Sequence, residues 1–357
     1  MSTTRSLTVS APGDVRLLTR SQLGPGAGEV LVEPLLVGLC GTDLEIIDGR
    51  VDPAYVRYPV VLGHEWCGTV TEVAPGEDHD LEGALVVVEG VVPCWRCLRC
   101  REGLTNLCLH YDEIGFTRDG AATDALAVAS SLVHRIADHV DPAEAVLVEP
   151  SAVVYRALRR VDPRPGQQVL VIGDGTIGLL AAHLVRRLWA PGRVDLLGWR
   201  PSQEGLARSS GATAFETDPS SLARDYDLVV EAAGSPEAVG TGLGKLRRGG
   251  VLLLLGLSGH GASVPVPVDD LVDGDLAVIG SFSYTSQSFG ELVGLLNAGA
   301  ISPGFLVTHR YPLVRWQAAV QQLRSPTGAR GKVLVEIRPR TQAPPEPSLV
   351  GGPPPEI

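Results

Sequence analysis

Residues 168–178 read QVLVIGDGTIG. The first five suit a buried strand, and Gly173, Gly175 and Gly178 follow it directly. Beyond them the apolar spacing of Thr176–Trp189 predicts a helix. A lone G-x-G-x-x-G carries little information, but between a strand and a helix it is a dinucleotide-binding fingerprint. The first glycine permits a tight turn, the second lets the backbone approach a pyrophosphate, and the third lets helix and strand pack closely. The helix N-terminus, at Thr176 and Ile177, offers free N–H groups to phosphate. An ordinary glycine-rich turn is the alternative.

Toward the C-terminus, Val194–Leu197, Leu228–Glu231 and Val251–Leu255 read as further strands, with helical segments at Glu204–Ser210 and Pro236–Leu246 between them. This alternation predicts an α/β, doubly wound parallel sheet. The second strand runs into Leu197-Gly198-Trp199-Arg200-Pro201. An NAD site ordinarily carries an acid about 20 residues past the glycines, for the ribose 2′-hydroxyl. No acid appears here before Glu204. Gly198 leaves room, and the Arg200 guanidinium can pair with a 2′-phosphate. NADP is therefore expected in preference to NAD, the alternative being a solvated Arg200 and use of both.

Upstream, residues 1–150 hold short β-type runs broken by Gly and Pro, at Val30–Glu33, Cys67–Val73, Leu85–Val88 and Ala125–Val128. Phe289–Asn297 suits a helix and Gly331–Ile337 a last strand, and the Pro-rich tail from Arg338 is expected to be disordered. The 357 residues fit two domains better than one. A net charge of −11 argues against general nucleic-acid or anionic-membrane binding. The N-terminus has no signal-peptide pattern and no apolar run reaches the roughly 20 residues of a membrane span. A cytoplasmic protein with reduced thiols is expected, and clustered cysteines there suggest a metal before disulfides.

Four of the six cysteines, Cys94, Cys97, Cys100 and Cys108, have the spacing C-x2-C-x2-C-x7-C. Four such thiolates close a tetrahedral structural zinc site with no open position. An iron–sulfur cluster, a redox disulfide pair and a nucleic-acid-binding zinc module are the alternatives. Cys40 lies in GLCGTD, and Gly63-His64-Glu65 follows later. A catalytic zinc needs three protein ligands and an open fourth position. Cys40 and His64 supply a thiolate and an imidazole, and the carboxylate comes from Glu65 or from Glu149 in LVEP. Alone, Cys40 would read as a small buried hydrophobe; beside a four-cysteine site and a dinucleotide fingerprint it reads as a ligand. Cys67 is expected to be a core residue.

Taken together, GLCGTD, VLGHEWCGTV, the four-cysteine lobe, EIGFTRDG, LVEP, GDGTIG, VTHRYPL and GKVLVEI resemble the zinc-containing medium-chain dehydrogenase/reductase family of alcohol, sorbitol, threonine and glucose dehydrogenases. The resemblance covers residues 1–337. It implies a GroES-like β-rich catalytic domain over 1–150, a Rossmann NAD(P)-binding domain over 151–285, and a return to the catalytic domain over 286–337. It also implies two zinc ions per chain, one catalytic and one structural. Cys40 and His64 match catalytic zinc ligands, Glu65 a ligand or exchange partner, and Glu149 the acid that reaches the zinc directly or through water. Thr42 matches the hydroxyl that bonds the substrate oxygen, and Asp43 the acid behind a ligand imidazole. Gly173, Gly175, Thr176, Ile177 and Gly178, with Gly198, Trp199, Arg200 and Leu257, are the candidate cofactor-binding residues.

Two positions depart from the pattern. Glu45 stands where many alcohol dehydrogenases have a relay histidine, so a carboxylate relay or direct water exchange is expected. Asp124-Ala125 replaces a common Glu-Tyr and gets no functional account from the sequence. The implied reaction interconverts a secondary alcohol and a ketone by hydride transfer. The motifs LVEP and CGTD point to polyols, sugars or cyclitols. VLGHEW with EIGFTRDG is similar to aminocyclitol dehydrogenases of the 2-deoxy-scyllo-inosamine type. A biosynthetic carbonyl reductase and a non-catalytic NADP-binding relative are the alternatives. A homodimer or homotetramer is implied.

Overall fold

Strand Gln168–Ile172 sits inside a six-stranded sheet whose neighbours are, in order, Ala214–Glu216, Arg193–Leu197, Gln168–Ile172, Tyr226–Glu231, Leu246–Leu254 and Ala277–Gly280. Every pairing is parallel. The unbroken apolar run follows from burial on both faces: Val169, Leu170 and Val171 are fully buried. Numbered along the chain the order is 3-2-1-4-5-6, with the switch point between Gln168–Ile172 and Tyr226–Glu231, where such sheets bind their ligands. Helix Thr176–Leu188 packs against Val148–Val161, and the latter against Ser286–Asn297. The computed structural model describes residues 3–338, apart from 23, 260 and 326. The expected disorder of the tail falls outside the described residues, save Arg338.

The β-rich half is a seven-stranded sheet. Along it lie Val307–Pro312, Lys332–Glu336, Glu29–Leu39, Glu65–Val73, Leu85–Val88 and Val133–Arg135, with Leu126–Ala129 also paired to Glu29–Leu39. A three-stranded sheet of Asp14–Ser21, Thr3–Ala11 and Val60–Val61 accompanies it. The last two strands of the chain thus join the first half, with Val333 opposite Leu39 and Val335 opposite Val37. That register sets Lys332 beside the end of Glu29–Leu39. Among the described residues, no helix is long and apolar enough to cross a membrane.

Some elements extend past their sequence signal. The strand expected at Val251–Leu255 begins at Leu246, because Leu246 pairs with Tyr226 across an irregularity that takes up Arg247–Gly250. Helix Val148–Val161 was not foreseen, since Pro150 near its start masks the pattern. Asp124 is structural: its carboxylate accepts from the Arg5 Nη2 at 2.7 Å and from the Arg5 backbone N–H at 2.7 Å, tying the first strand to the sheet.

His183 gives the fold an acid sensitivity. It is buried in Thr176–Leu188, and its Nε2 accepts from the Ser302 backbone N–H at 3.3 Å. Burial, with the nearby Arg187 charge, pushes its pKa down to about 4. A depressed histidine pKa favours the neutral ring in the folded state. Its contribution is complete above the unfolded value near 6.5 and is lost as pH falls to about 4, amounting to about 3 kcal/mol. Thermal unfolding of His183→Gln against the parent should show the parent losing ground by that amount across this window. Equal pH slopes would contradict the assignment.

Candidate active site

The motif CGTD folds as a helix start. Cys40 is the N-cap of Gly41–Asp48, and its Sγ accepts from the Thr42 N–H at 3.3 Å. Asp43, three residues on, returns the bond: its Oδ2 accepts from the Cys40 N–H at 2.8 Å. This is a capping box with a thiol in place of a hydroxyl. The other Asp43 oxygen, Oδ1, stands 3.7 Å from His64 Nδ1. His64 enters at the turn before Glu65–Val73, its ring 5.0 Å from that of Phe116. Its Nε2 lies 3.3 Å from Cys40 Sγ.

Cys40 Sγ, a His64 ring nitrogen and a Glu65 carboxylate oxygen all fall within 4.8 Å of one another. Ligand bonds of about 2.3 Å to sulfur and 2.0–2.1 Å to nitrogen in a tetrahedron separate S and N by about 3.5 Å, close to the observed spacing. Asp43 Oδ1 and His64 Nδ1 are buried without a hydrogen-bond partner. A thiolate, an imidazole and a carboxylate in this arrangement fit a zinc ion with an open position. Burial opposes a charged His64 ring, but its Coulombic interactions with Cys40 and Asp43 hold its pKa well above the ordinary value.

Glu65 has a partner that the sequence did not reveal. The Lys332 Nζ forms an ion pair with Glu65 Oε2, and both side chains are almost fully buried, at 1% and 4% exposure. Gly38 clears the space, since a Cβ there would come within 2.5 Å of Glu65 Oε2. Glu149, in the first turn of Val148–Val161, stands outside the cluster of Cys40, His64 and Glu65 but shares its field. Burial pushes its carboxyl up to about 8, with the charged His64 pulling the other way.

Two further groups were missed. Glu113 accepts a hydrogen bond from the Tyr111 hydroxyl, and burial raises its pKa. The fully buried Tyr284 accepts the Gly90 N–H at 2.7 Å and feels Glu149 and Glu113. Glu113 lies in EIGFTRDG, which carried the resemblance without singling it out. Thr42 is half-buried beside Cys40. Glu45 is exposed on the same helix, outside the triad.

The Sγ atoms of Cys94, Cys97, Cys100 and Cys108 also lie within 4.8 Å of one another. Cys97 caps the short helix Leu98–Arg101, its Sγ accepting from the Cys100 N–H at 3.5 Å. Cys108 Sγ accepts from Cys94 N–H and His110 N–H, each at 3.4 Å. The set fits a closed four-sulfur zinc site. All six cysteines are free thiols, and Cys67 is buried in the core, donating to the Pro142 carbonyl.

At the dinucleotide loop, Gly173 has φ +123°, and a Cβ there would strike Ala232 and Ala233 at 2.8 Å. Gly178 lies so close to the Gly173 carbonyl that a Cβ would fall 1.9 Å from it. Gly175 caps Thr176–Leu188 and faces open space, with Thr176 and Ile177 half-buried behind it. Arg200 is not a loose charge. Its Nη2 donates to Asp174 Oδ1 at 2.7 Å and its Nε at 3.1 Å, while Asp174 Oδ2 accepts from the Trp199 and Arg200 N–H groups. Gly198 makes this possible, since a Cβ would meet the Asp174 carboxylate at 2.8 Å. Trp199 is 78% exposed. Leu257 lines a groove of about 540 Å³ that runs between Leu107 of the cysteine lobe and Phe282.

Residues 26–138 match the family model described as alcohol dehydrogenase GroES-like domain, and residues 143–327 that of glucose dehydrogenase C-terminus. The chain is 31% identical over 328 residues to an L-galactonate-5-dehydrogenase of Escherichia coli strain K12, covering 87% of this chain and 93% of the relative. It is 30% identical over 306 residues to a sorbitol dehydrogenase of Bacillus subtilis, covering 82% and 86%. A zinc-binding dehydrogenase of Sinorhizobium meliloti, solved bound to NADP, superposes with a TM-score of 0.87 at 28% identity, covering 94% of this chain and 100% of that one. The chain belongs to the zinc-containing medium-chain dehydrogenase/reductase family, of the alcohol and sorbitol dehydrogenase type. It is an oxidoreductase acting on CH–OH donors with zinc and a nicotinamide cofactor.

Proposed function

We propose that this enzyme interconverts a secondary alcohol and a ketone on a hydroxyl-rich substrate, a polyol, a sugar or an (amino)cyclitol, with NADP(H) preferred. The observation that carries the reading is the Cys40, His64 and Glu65 cluster at a helix cap, with the half-buried Glu149 and Glu113 nearby. Zinc held by Cys40, His64 and a carboxylate supplies Lewis-acid polarisation of the C–O bond. A nicotinamide cofactor supplies the hydride acceptor. The Thr42 Oγ1 hydrogen-bonds the substrate oxygen and, as it takes that proton, passes its own hydroxyl proton on to water. Asp43 Oδ1, 3.7 Å from His64 Nδ1, stands on the side of the ring from which a carboxylate would orient it. Lys332 keeps the charge on Glu65 balanced in a dry site. Glu149 and Glu113 offer acceptors to the neighbouring hydroxyls of a polyol or an amine of an aminocyclitol, which a small aliphatic alcohol cannot use. The names of the sorbitol and L-galactonate dehydrogenases support this substrate class. Four sulfurs at Cys94, Cys97, Cys100 and Cys108 hold a second, structural zinc.

The cofactor preference rests on Arg200. Asp174 fixes its guanidinium plane, and the Nη1 edge has no hydrogen-bond partner among the described residues. A charged bond to a 2′-phosphate contributes about 1.5–3 kcal/mol. Arg200→Ala should therefore lower kcat/KM with NADP by about tenfold or more, leaving NAD within about twofold; a parent enzyme faster with NAD overturns the preference. The exposed apolar residues Val278 and Phe282, on and beside the sheet's edge strand Ala277–Gly280, support assembly with a second copy. Sedimentation at the mass of a single chain would contradict that. The test of the activity is a 340 nm screen of polyols, sugars and aminocyclitols with both cofactors. Turnover is expected with a polyhydroxy substrate, and turnover confined to simple monohydric alcohols would contradict the substrate class.

A further inference from the structure

Gln203 is fully buried, and all of its amide's bonds cross between elements. Its Nε2 donates to the Asp174 carbonyl at 2.6 Å, inside the dinucleotide loop. The same Nε2 donates to the Arg330 carbonyl at 2.9 Å, and its Oε1 accepts from the Arg330 N–H at 2.7 Å. The side chain thus pairs with both main-chain groups of Arg330, as a neighbouring strand would. Arg330 belongs to the segment that returns to the first half of the chain.

That segment is itself held. The Arg330 Nη1 donates to the carbonyls of Gln322 at 3.2 Å and Ser325 at 2.8 Å, closing the end of helix Trp316–Arg324. Gly331 donates to Thr308 Oγ1 at 3.1 Å, and a Cβ on it would fall 2.1 Å from the Leu306 carbonyl oxygen. Two residues past Arg330 stands Lys332, paired with Glu65. One buried amide and three consecutive residues therefore connect the dinucleotide loop to the carboxylate of the Cys40 cluster.

The geometry points to Gln203 as a positioning residue that couples occupancy of the dinucleotide loop to the placement of Glu65, through the main chain of Arg330–Lys332. The inference rests on the reading of Cys40, His64 and Glu65 as a metal centre. With the cofactor in the loop, Asp174 holds Gln203, Gln203 holds Arg330, and Lys332 stays on Glu65. Coupling through such a packed, hydrogen-bonded path is reciprocal, so the cofactor must also alter how firmly the metal is held.

The test is the rate of zinc transfer from the zinc-loaded enzyme to 4-(2-pyridylazo)resorcinol, with and without saturating NADP+ or NAD+. The kinetic phase followed is the one missing from Cys40→Ala. In the parent the cofactor should slow that phase at least about fivefold. In Gln203→Leu the slowing should shrink below about twofold, while tryptophan fluorescence still reports cofactor binding. Gln203→Glu keeps the acceptor for the Arg330 N–H, loses both donors, and should show the same loss; it decides the matter if the leucine variant does not fold. A merely structural Gln203 would change release equally with and without cofactor. An unchanged ratio in the variants, or no cofactor effect in the parent, overturns the coupling. Absence of any Cys40-dependent phase instead defeats the metal-centre reading beneath it.

Discussion

Cys40→Ala and His64→Ala should each lower kcat/KM by about a thousandfold or more while the protein remains folded. Each removes one of the two non-carboxylate donors in the triad, whose atoms lie within 4.8 Å of one another. Lewis-acid stabilisation of the developing alkoxide contributes several kcal/mol, and each 1.36 kcal/mol is a factor of ten in rate. The fold should survive because Cys40 sits at the start of a helix whose second capping bond, from the Cys40 N–H to Asp43, does not need the thiol. The loss should appear in kcat at saturating cofactor, since the dinucleotide loop is built by other residues. Circular dichroism and cofactor titration provide the controls. A variant that kept its turnover with its zinc intact would refute the ligand assignment.

The second large effect is on stability. Lys332→Met removes the cation from an ion pair in which both partners are nearly fully buried. In the metal-free protein, breaking one side of this buried pair costs about 3–5 kcal/mol, because the remaining charge then has neither water nor a counter-charge. Glu65→Gln in the same background should recover most of that, since both charges are then gone. The urea midpoints of the parent, both single variants and the double variant form the cycle. A Lys332→Met midpoint shift worth less than about 1 kcal/mol would mean that Glu65 is neutral or solvated, against the geometry.

Legibility in the sequence followed the range of each interaction. QVLVIGDGTIG could be read because strand, turn and helix are consecutive and each glycine answers a local need. The cysteine lobe could be read because its four thiols lie within fifteen residues. Cys40 and His64, 24 apart in sequence, were found through their motifs. Lys332 lies 267 residues from Glu65, and no local pattern marks a lysine in an apolar strand as a buried counter-ion. Arg200 was seen as a guanidinium at the end of a strand, but its hold by Asp174 was not, because the pair is made by the sheet bringing two loops together. Asp124 had no account until Arg5 appeared beside it, 119 residues away. The first hairpin, Thr3–Ala11 with Asp14–Ser21, went unread because its polar, threonine-rich alternation resembles a solvated terminus.

The proposed chemistry lies at Cys40, His64 and Glu65, and not at the more conspicuous four-cysteine lobe. Counting zinc per chain by mass spectrometry, in the parent and in Cys40→Ala, tests that assignment most directly. The account predicts two zinc ions in the parent and one in the variant, the remaining ion held by Cys94, Cys97, Cys100 and Cys108. One zinc in both proteins, or two in both, would contradict it.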